Sequence, residues 1–358
     1  MIALLGRRDQ PTDAVQDYCD FLGRALSQQG CPLSIERVAW SQIGWLRSLL
    51  LLWRKSRRWN GQWVLLQYTS LMWSRRGFPP MFLVVLLLLR VRGARLAAVF
   101  HDTEPYPGTR FVDRARRICQ RAVMQCTYWL ADKTILMTPV EYASWLRADS
   151  VKATFIPVGA NISAALVPRR SARNGCEVKT IAVFGVTGDG NVGNEVSEIT
   201  FVAKAVAKRV PGVRLLTLGR GSAESEPRFR RDLEESAIEF AALGILSPED
   251  VRRVLSNSDV SLFVRGPLST QRGSAIASIA CAVPLVAYAG QRLPAPFSQA
   301  GVVTVTCGDC EGLAAAAVKV LTDRGLWLEL HQRSRDSYDK YFSWGVIASR
   351  FVSVLDDA

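Results

Sequence analysis

The sequence predicts an α/β protein made of two Rossmann-like, doubly wound domains. Three observations carry this: a length of 358 residues, a hydrophobic fraction of 49% against 22% charged, and apolar strand-like runs that alternate with helical stretches throughout. A chain of this length exceeds what one hydrophobic core usually covers, so two domains are expected. The globular composition leaves no place for a long disordered tail.

In the first half the strands read IALLG (2–6), WVLLQY (63–68), LAAVFH (96–101) and KTILMT (133–138), and ATFIPVG (153–159) closes the sheet. The stretch 163–178, with its Arg, Ser, Gly and Pro, reads as a linker. The pattern then restarts with TIAVFG (180–185), VRLLTLG (213–219), IEFAALG (238–244), VSLFVR (260–265), PLVAYAG (284–290) and VVTVTC (302–307). YFSWGVIASRFVSVL (341–355) reads as an amphipathic helix. The expected division is 1–165, 166–340 and a C-terminal helix 341–358 that returns to the first domain. Ligands in open α/β sheets bind beyond the carboxyl ends of the strands, so a cleft between the two domains is expected to take the substrates.

The net charge of +13, from 45 Lys and Arg against 32 Asp and Glu, implies an anionic partner. The opening MIALLGRRDQ lacks a secretory signal, so the eight Cys are expected to be reduced thiols in the cytoplasm. Cys307 and Cys310 form an isolated pair with no second pair to complete a zinc site, and no metal or other cofactor is expected. The apolar run MFLVVLLLL (81–89) falls well short of a membrane span.

Several stretches are similar to the donor-binding domain of glycosyltransferase family 4. LLTLGRG (215–221) resembles that family's strand ending in a glycine turn, and GILSPEDVRRVLSNSDVSLFV (244–264) its stretch with an aspartate before a strand. SAIASIACAVPLVAY (274–288) resembles its helix running into a Pro-Leu-Val strand. VFHD (99–102), WLADKTILMT (129–138) and IPVGANI (156–162) resemble the acceptor domain and its link to the donor domain. HDTEPYPG and LLQYTSLMWSRRGFP further resemble bacterial polysaccharide and lipid-linked glycan transferases. The resemblance implies the GT-B fold and a hexosyltransferase-type enzyme. It would move a sugar, with retention, from a nucleotide-sugar to a glycan or lipid-linked acceptor. Two features depart from the family: its paired glutamates fall on Ser269 and Ala277, and its phosphate-clamping Arg and Lys on Val186 and Asn191.

Backbone amides in a glycine-rich turn before a helix can cradle a diphosphate. GVTGDGNVG (185–193) suits that role, and Gly185, Gly188, Asp189 and Gly190 are its donor-site candidates. Gly188, Gly190 and Gly193 also spell a dinucleotide fingerprint, so an NAD-dependent oxidoreductase is a lesser alternative; the next strand ends in Gly219-Arg220-Gly221 with no acid for the ribose. With the usual cations missing, Arg220, Arg265 and Arg272 become the phosphate ligands, and Gly273 and Ser274 open the following helix. His101 ends a strand where family 4 places a histidine facing the transferred sugar; His101 and Asp102 are the catalytic candidates, Asp13 and Glu104 the acceptor-side ones.

The basic, aromatic segment WLRSLLLLWRKSRRWNGQW (45–63), with Arg75, Arg76 and 81–89, fits a surface resting on an anionic membrane. Arg110, Arg114, Arg116, Arg117 and Arg121 extend it, and peripheral attachment to the inner face of the cell membrane is expected. Packing of Leu49 to Leu52 in the first domain is the other reading of that segment. Nothing resembles a nucleic-acid module. The absent glutamates and cations leave a second function open, a catalytically silent transferase-like protein that binds a glycan or a partner.

Overall fold

The computed structural model describes residues 1–10, 12–147, 149–162, 178–187, 192–290 and 293–357. The chain divides into two compact units, Met1–Val158 with Trp344–Ala358, and Gly159–Ser343.

The first unit runs β1 Ile2–Leu5, α1 Ala14–Gln28, β2 Ser34–Arg37, α2 Trp40–Ile43, α3 Trp45–Lys55, β3 Trp63–Tyr68, α4 Pro80–Val91, β4 Arg95–Phe100, α5 Phe111–Leu130, β5 Lys133–Leu136 and β6 Ala153–Phe155. The strands form one parallel sheet in the order β2-β1-β3-β4-β5-β6. Central β1 and β3 are buried along their whole length, which is why they read as unbroken apolar runs. The charged edge strand β2 has no such run, so the sequence pattern passed over it.

Crossovers between parallel strands are right-handed. The chain steps from β1 to β2 in one direction and from β2 through β5 in the other, so α1 covers one face and α3, α4 and α5 the opposite face. Contacts agree: α4 touches both α3 and α5. Leu52 is buried and Leu49 half-buried, while Leu50 and Leu51 are exposed, so packing accounts for only part of that leucine run. Among the described residues no helix is long and apolar enough to cross a membrane.

The second unit runs β7 Lys179–Phe184, α6 Val192–Ala207, β8 Val213–Leu218, α7 Ser222–Leu233, β9 Ile238–Ala242, α8 Pro248–Ser256, β10 Val260–Phe263, α9 Gly273–Ala280, β11 Leu285–Tyr288, α10 Ala295–Ser298, β12 Val302–Val305, α11 Cys310–Thr322 and α12 Arg324–Ser337. Its parallel sheet has the order β12-β11-β10-β7-β8-β9, so the winding reverses between β7 and β10. The loops after those two strands therefore flank a crevice, the place where such sheets bind ligands. Local chemistry sets the helix starts. Ser247 accepts from the Asp250 amide at 3.1 Å ahead of Pro248, and Asp309 and Asp323 cap α11 and α12 in the same way.

The helix expected over 341–355 runs as α13, Trp344–Asp356. Phe342 is buried instead against Phe297 of the second unit, their rings 5.5 Å apart. Trp344 stacks on Phe21 of α1 at 5.6 Å and meets Tyr18 edge-on at 5.3 Å, which seats α13 on the first unit. Gln29 reinforces this by donating to the Gly345 carbonyl and the Ser349 hydroxyl.

Candidate functional site

Two clusters of predicted residues form, one at the carboxyl end of each sheet. In the second unit, β7 is followed by Gly185 and β8 by Gly219, with φ of +97° and +116°, in the region that favours glycine. Gly185 donates its amide to the Leu218 carbonyl, and Gly221 donates to the Val186 carbonyl. A Cβ on Gly185 would lie 3.1 Å from Ser274 Oγ and 3.3 Å from Arg265 Nη1. The end of β7, the loop after β10 and the first turn of α9 therefore converge, and the structure brings Gly185, Arg265, Gly273 and Ser274 into one place. Arg220 follows Gly219 and is exposed. Gly188, Asp189, Gly190 and Asn191 lie outside the described residues.

Arg272 is the N-cap residue of α9 and its side chain does not cap. Its Nε is buried without a hydrogen-bond partner among the described residues. Burial holds its guanidinium below the usual arginine range, and the nearby charge of Arg265 pushes the same way. Neither arginine has an ion-pair partner among the described residues, unlike Arg214 or Arg252, which pair with Glu239 and Glu249. Two cations side by side with no ion-pair partner among the described residues, next to the first amides of a helix, form a setting that an anion would complete.

Val186 is 1% exposed and belongs to the core of the unit, so the position where family 4 has an arginine supplies no charge. Ala277 is buried likewise, and Ser269 accepts the Arg272 amide at 3.0 Å. The sequence reading missed Glu195, in the first turn of α6. Its Oε2 accepts the Thr187 amide at 3.2 Å and also the Thr187 hydroxyl, which holds Thr187 two residues after Gly185. No spacing rule pairs a threonine with a glutamate eight positions on.

In the first unit, His101 follows β4 and its amide donates to the Tyr68 carbonyl at 3.0 Å. Its Nε2 lies 2.8 Å from Gln67 Oε1, and Gln67 Nε2 donates to the Leu65 carbonyl, so the imidazole carries its proton on Nε2. Burial lowers the His101 pKa from 6.5 to about 4, opposed by the charge of Asp13. The ring also packs edge-on against Tyr18 at 4.9 Å. Asp102 accepts the Ser70 amide at 2.9 Å; burial raises its pKa, and that hydrogen bond partly offsets the rise.

Asp13 and Glu104 are both engaged within the fold. Asp13 caps α1 through the Gln16 amide at 3.1 Å and pairs with Arg37 at 2.8 Å, its side chain 3% exposed. Glu104 accepts the amide and hydroxyl of Ser144 at 2.5 and 2.6 Å. Neither Arg37 nor Gln67 was legible as a site partner, because their roles come from contacts between elements far apart in sequence, Arg37 with the start of α1 and Gln67 with the end of β4. Among the described residues, no group of three or more His, Cys, Asp and Glu could hold a metal ion.

No protein-family model matches the chain, and no curated protein does. Solved structures are similar over its full length. HepE of Anabaena, in complex with UDP and glucose, aligns with a TM-score of 0.67 at 13% identity, covering 100% of both chains. A glycosyltransferase from Rickettsia africae aligns at 0.68 and 12% identity, covering 100% of this chain and 99% of its own. A putative UDP-N-acetylglucosamine 2-epimerase from Listeria monocytogenes aligns at 0.63 and 11%, covering 99% and 95%. At these identities the likeness concerns fold, and proteins named for different reactions share it. With its two six-stranded parallel sheets and a C-terminal helix on the first unit, this chain has the two-domain GT-B fold.

Proposed function

We propose that this chain is a glycosyltransferase that moves a hexose from a nucleotide-sugar donor to a glycan or lipid-linked acceptor, with retention. The observation that carries the reading is the cation pair Arg265 and Arg272 beside Gly185, at the point where the winding of the second sheet reverses. A nucleoside diphosphate gains negative charge as it leaves the sugar. Guanidiniums held out of bulk water stabilise that charge more than they would on an exposed surface. In this reading the arginines and the α9 N-terminus supply the positive charge, so no metal or other cofactor takes part. Neutral His101 serves the transferred sugar by hydrogen bonding, and Asp102 and Glu104 lie beside it in sequence.

HepE was solved with UDP, which makes UDP-sugars the first donors to try. The acceptor side is proposed to work at an anionic membrane surface on the cytoplasmic side. A thermal-shift series with UDP, GDP and ADP tests donor binding, because a ligand at a hundred times its Kd stabilises the native state by about 2.7 kcal/mol. No shift with any of them would sink the reading. A second reading, donor binding without transfer, is favoured by the apolar or neutral residues at Ala277 and Ser269. Nucleotide binding with neither sugar hydrolysis nor transfer from any UDP-sugar would select it.

A further inference from the structure

We propose that the outward side of the α3–α4–α5 layer is a seat for an anionic phospholipid bilayer. A helix covering a sheet normally turns its apolar stripe inward and its charges outward. Here α3, α4 and α5 each carry large apolar side chains on the outward side as well. On α3 the outward stripe is Leu46, Leu50 and Trp53, with Leu46 75% exposed; on α4 it is Val84, Leu87 and Val91. On α5, Phe111, Ile118 and Trp129 are 85%, 70% and 72% exposed. At roughly 100° per residue those three α5 positions fall within about 20° of one another around the helix. More than half of the exposed large apolar residues among those described lie on this one layer.

The charge around these stripes is predominantly positive. α3 carries Arg47, Arg54 and Lys55, α4 carries Arg90, and α5 carries the exposed Arg114 and Arg121; Lys55 pairs with Glu36 and Arg90 with Asp132, and the other four have no ion-pair partner among the described residues. The sole carboxylate of the three helices is Asp113, which is buried and closes the first turn of α5 through the Arg110 amide and Arg116. Arg116 is thus withdrawn from the face that the sequence assigned it to. A surface evolved only for solubility mixes signs evenly, whereas most cations on this one have no ion-pair partner among the described residues.

Apolar side chains at this density fit the headgroup and acyl boundary of a bilayer, while flanking guanidiniums meet lipid phosphates. A second copy of the chain would bring two predominantly cationic faces together. A nucleic acid would answer the charge and leave the leucines and aromatics in water. Such a seat deepens the acceptor reading above and rests on it for its purpose, because a lipid-linked acceptor is reached only at a bilayer.

The test is flotation of the full chain with vesicles of phosphatidylcholine, alone or mixed with phosphatidylglycerol, over a salt series. Wild type should bind the mixed vesicles and come off as salt rises. Leu50→Glu and Ile118→Glu, on separate helices, should each weaken binding about tenfold or more. Arg114→Gln combined with Arg121→Gln should do the same and flatten the salt dependence. All these side chains are exposed, so Tm and the nucleotide-induced Tm shift should stay at wild-type values. Wild-type binding by the glutamate variants, equal binding to pure phosphatidylcholine, or a dimer in solution that the same variants dissolve would each overturn the membrane seat. Loss of the nucleotide shift in wild type with vesicle binding intact would instead count against the transferase reading alone.

Discussion

Gly219 stands against Gly185 at the ends of β8 and β7, so that a methyl group on Gly219 would come within 3.0 Å of the Gly185 Cα. Both have positive φ, and the obstructing atoms are backbone that cannot swing aside. Gly219→Ala should therefore cost on the order of 1–3 kcal/mol in urea unfolding. Gly185→Ala meets the movable Arg265 and Ser274 side chains instead, so it should disturb nucleotide affinity more than its position alone suggests. Gly273 has nothing within 4 Å of a built Cβ, and Gly273→Ala should be tolerated. Equal stability for the Gly219 and Gly273 variants would refute this account of the crevice.

Arg272 sets stability against function. Its Nε is buried and unpartnered among the described residues, and it lies under the field of Arg265. Removing such a group relieves desolvation and like-charge repulsion, so Arg272→Ala should leave the apo protein as stable as wild type or raise its Tm. The same variant should lower UDP affinity by about ten- to a hundredfold, as expected for the loss of a charge-assisted bond. Arg272→Lys keeps the charge without the fork and should recover part of that affinity. Paired melting curves with and without nucleotide decide it; a destabilised apo variant with normal affinity would make Arg272 a structural residue.

Asp13 serves helix α1 and Arg37 together, and neither contact depends on a substrate. Asp13→Ala removes a cap and leaves the half-buried Arg37 guanidinium with only the neutral acceptors Gly6 carbonyl and Gln16 Oε1, which should cost about 3 kcal/mol. Asp13→Asn keeps a capping oxygen and should cost less. Chemical unfolding reads both. The nucleotide-induced Tm shift, which reports on the second unit, should be unchanged in either variant.

The fold was legible because central strands of a covered parallel sheet must be apolar throughout, as in IALL and WVLLQY. Edge strand β2 escaped because half-exposed SIER carries charge where a central strand could not. Around the candidate site, Arg265 and Arg272 are singled out by elimination, because the usual cation positions hold Val186 and Asn191, and the structure places Arg265 beside Gly185 and near Arg272. Glu195, Gln67 and Arg37 could not be found that way. Their importance comes from partners at other strand ends or across a turn, and a one-dimensional pattern does not hold those pairings.

His101 provides the pH test. Burial lowers its pKa to about 4 in the folded protein, against 6.5 when unconstrained, so the unfolded chain takes up a proton first as pH falls. The neutral imidazole thus contributes stability that is fully present above pH 6.5 and is lost as pH drops towards 4, amounting to roughly 3–4 kcal/mol. Asp102 acts in the opposite sense, because burial raises its pKa and the fold then tolerates its proton better than the unfolded chain does. The two contributions separate by difference. Subtracting the urea midpoints of His101→Gln from those of wild type, pH by pH, should leave a slope confined to the window between 6.5 and 4. An imidazole that stays neutral through this range also cannot act by losing a proton near pH 6.5, so kcat/KM for transfer should show no break there that His101→Gln abolishes. A histidine resonance titrating near 6.5 at this position, or a rate profile whose break vanishes in the variant, would mean that the ring is solvated and reaches the sugar as an ordinary acid–base group.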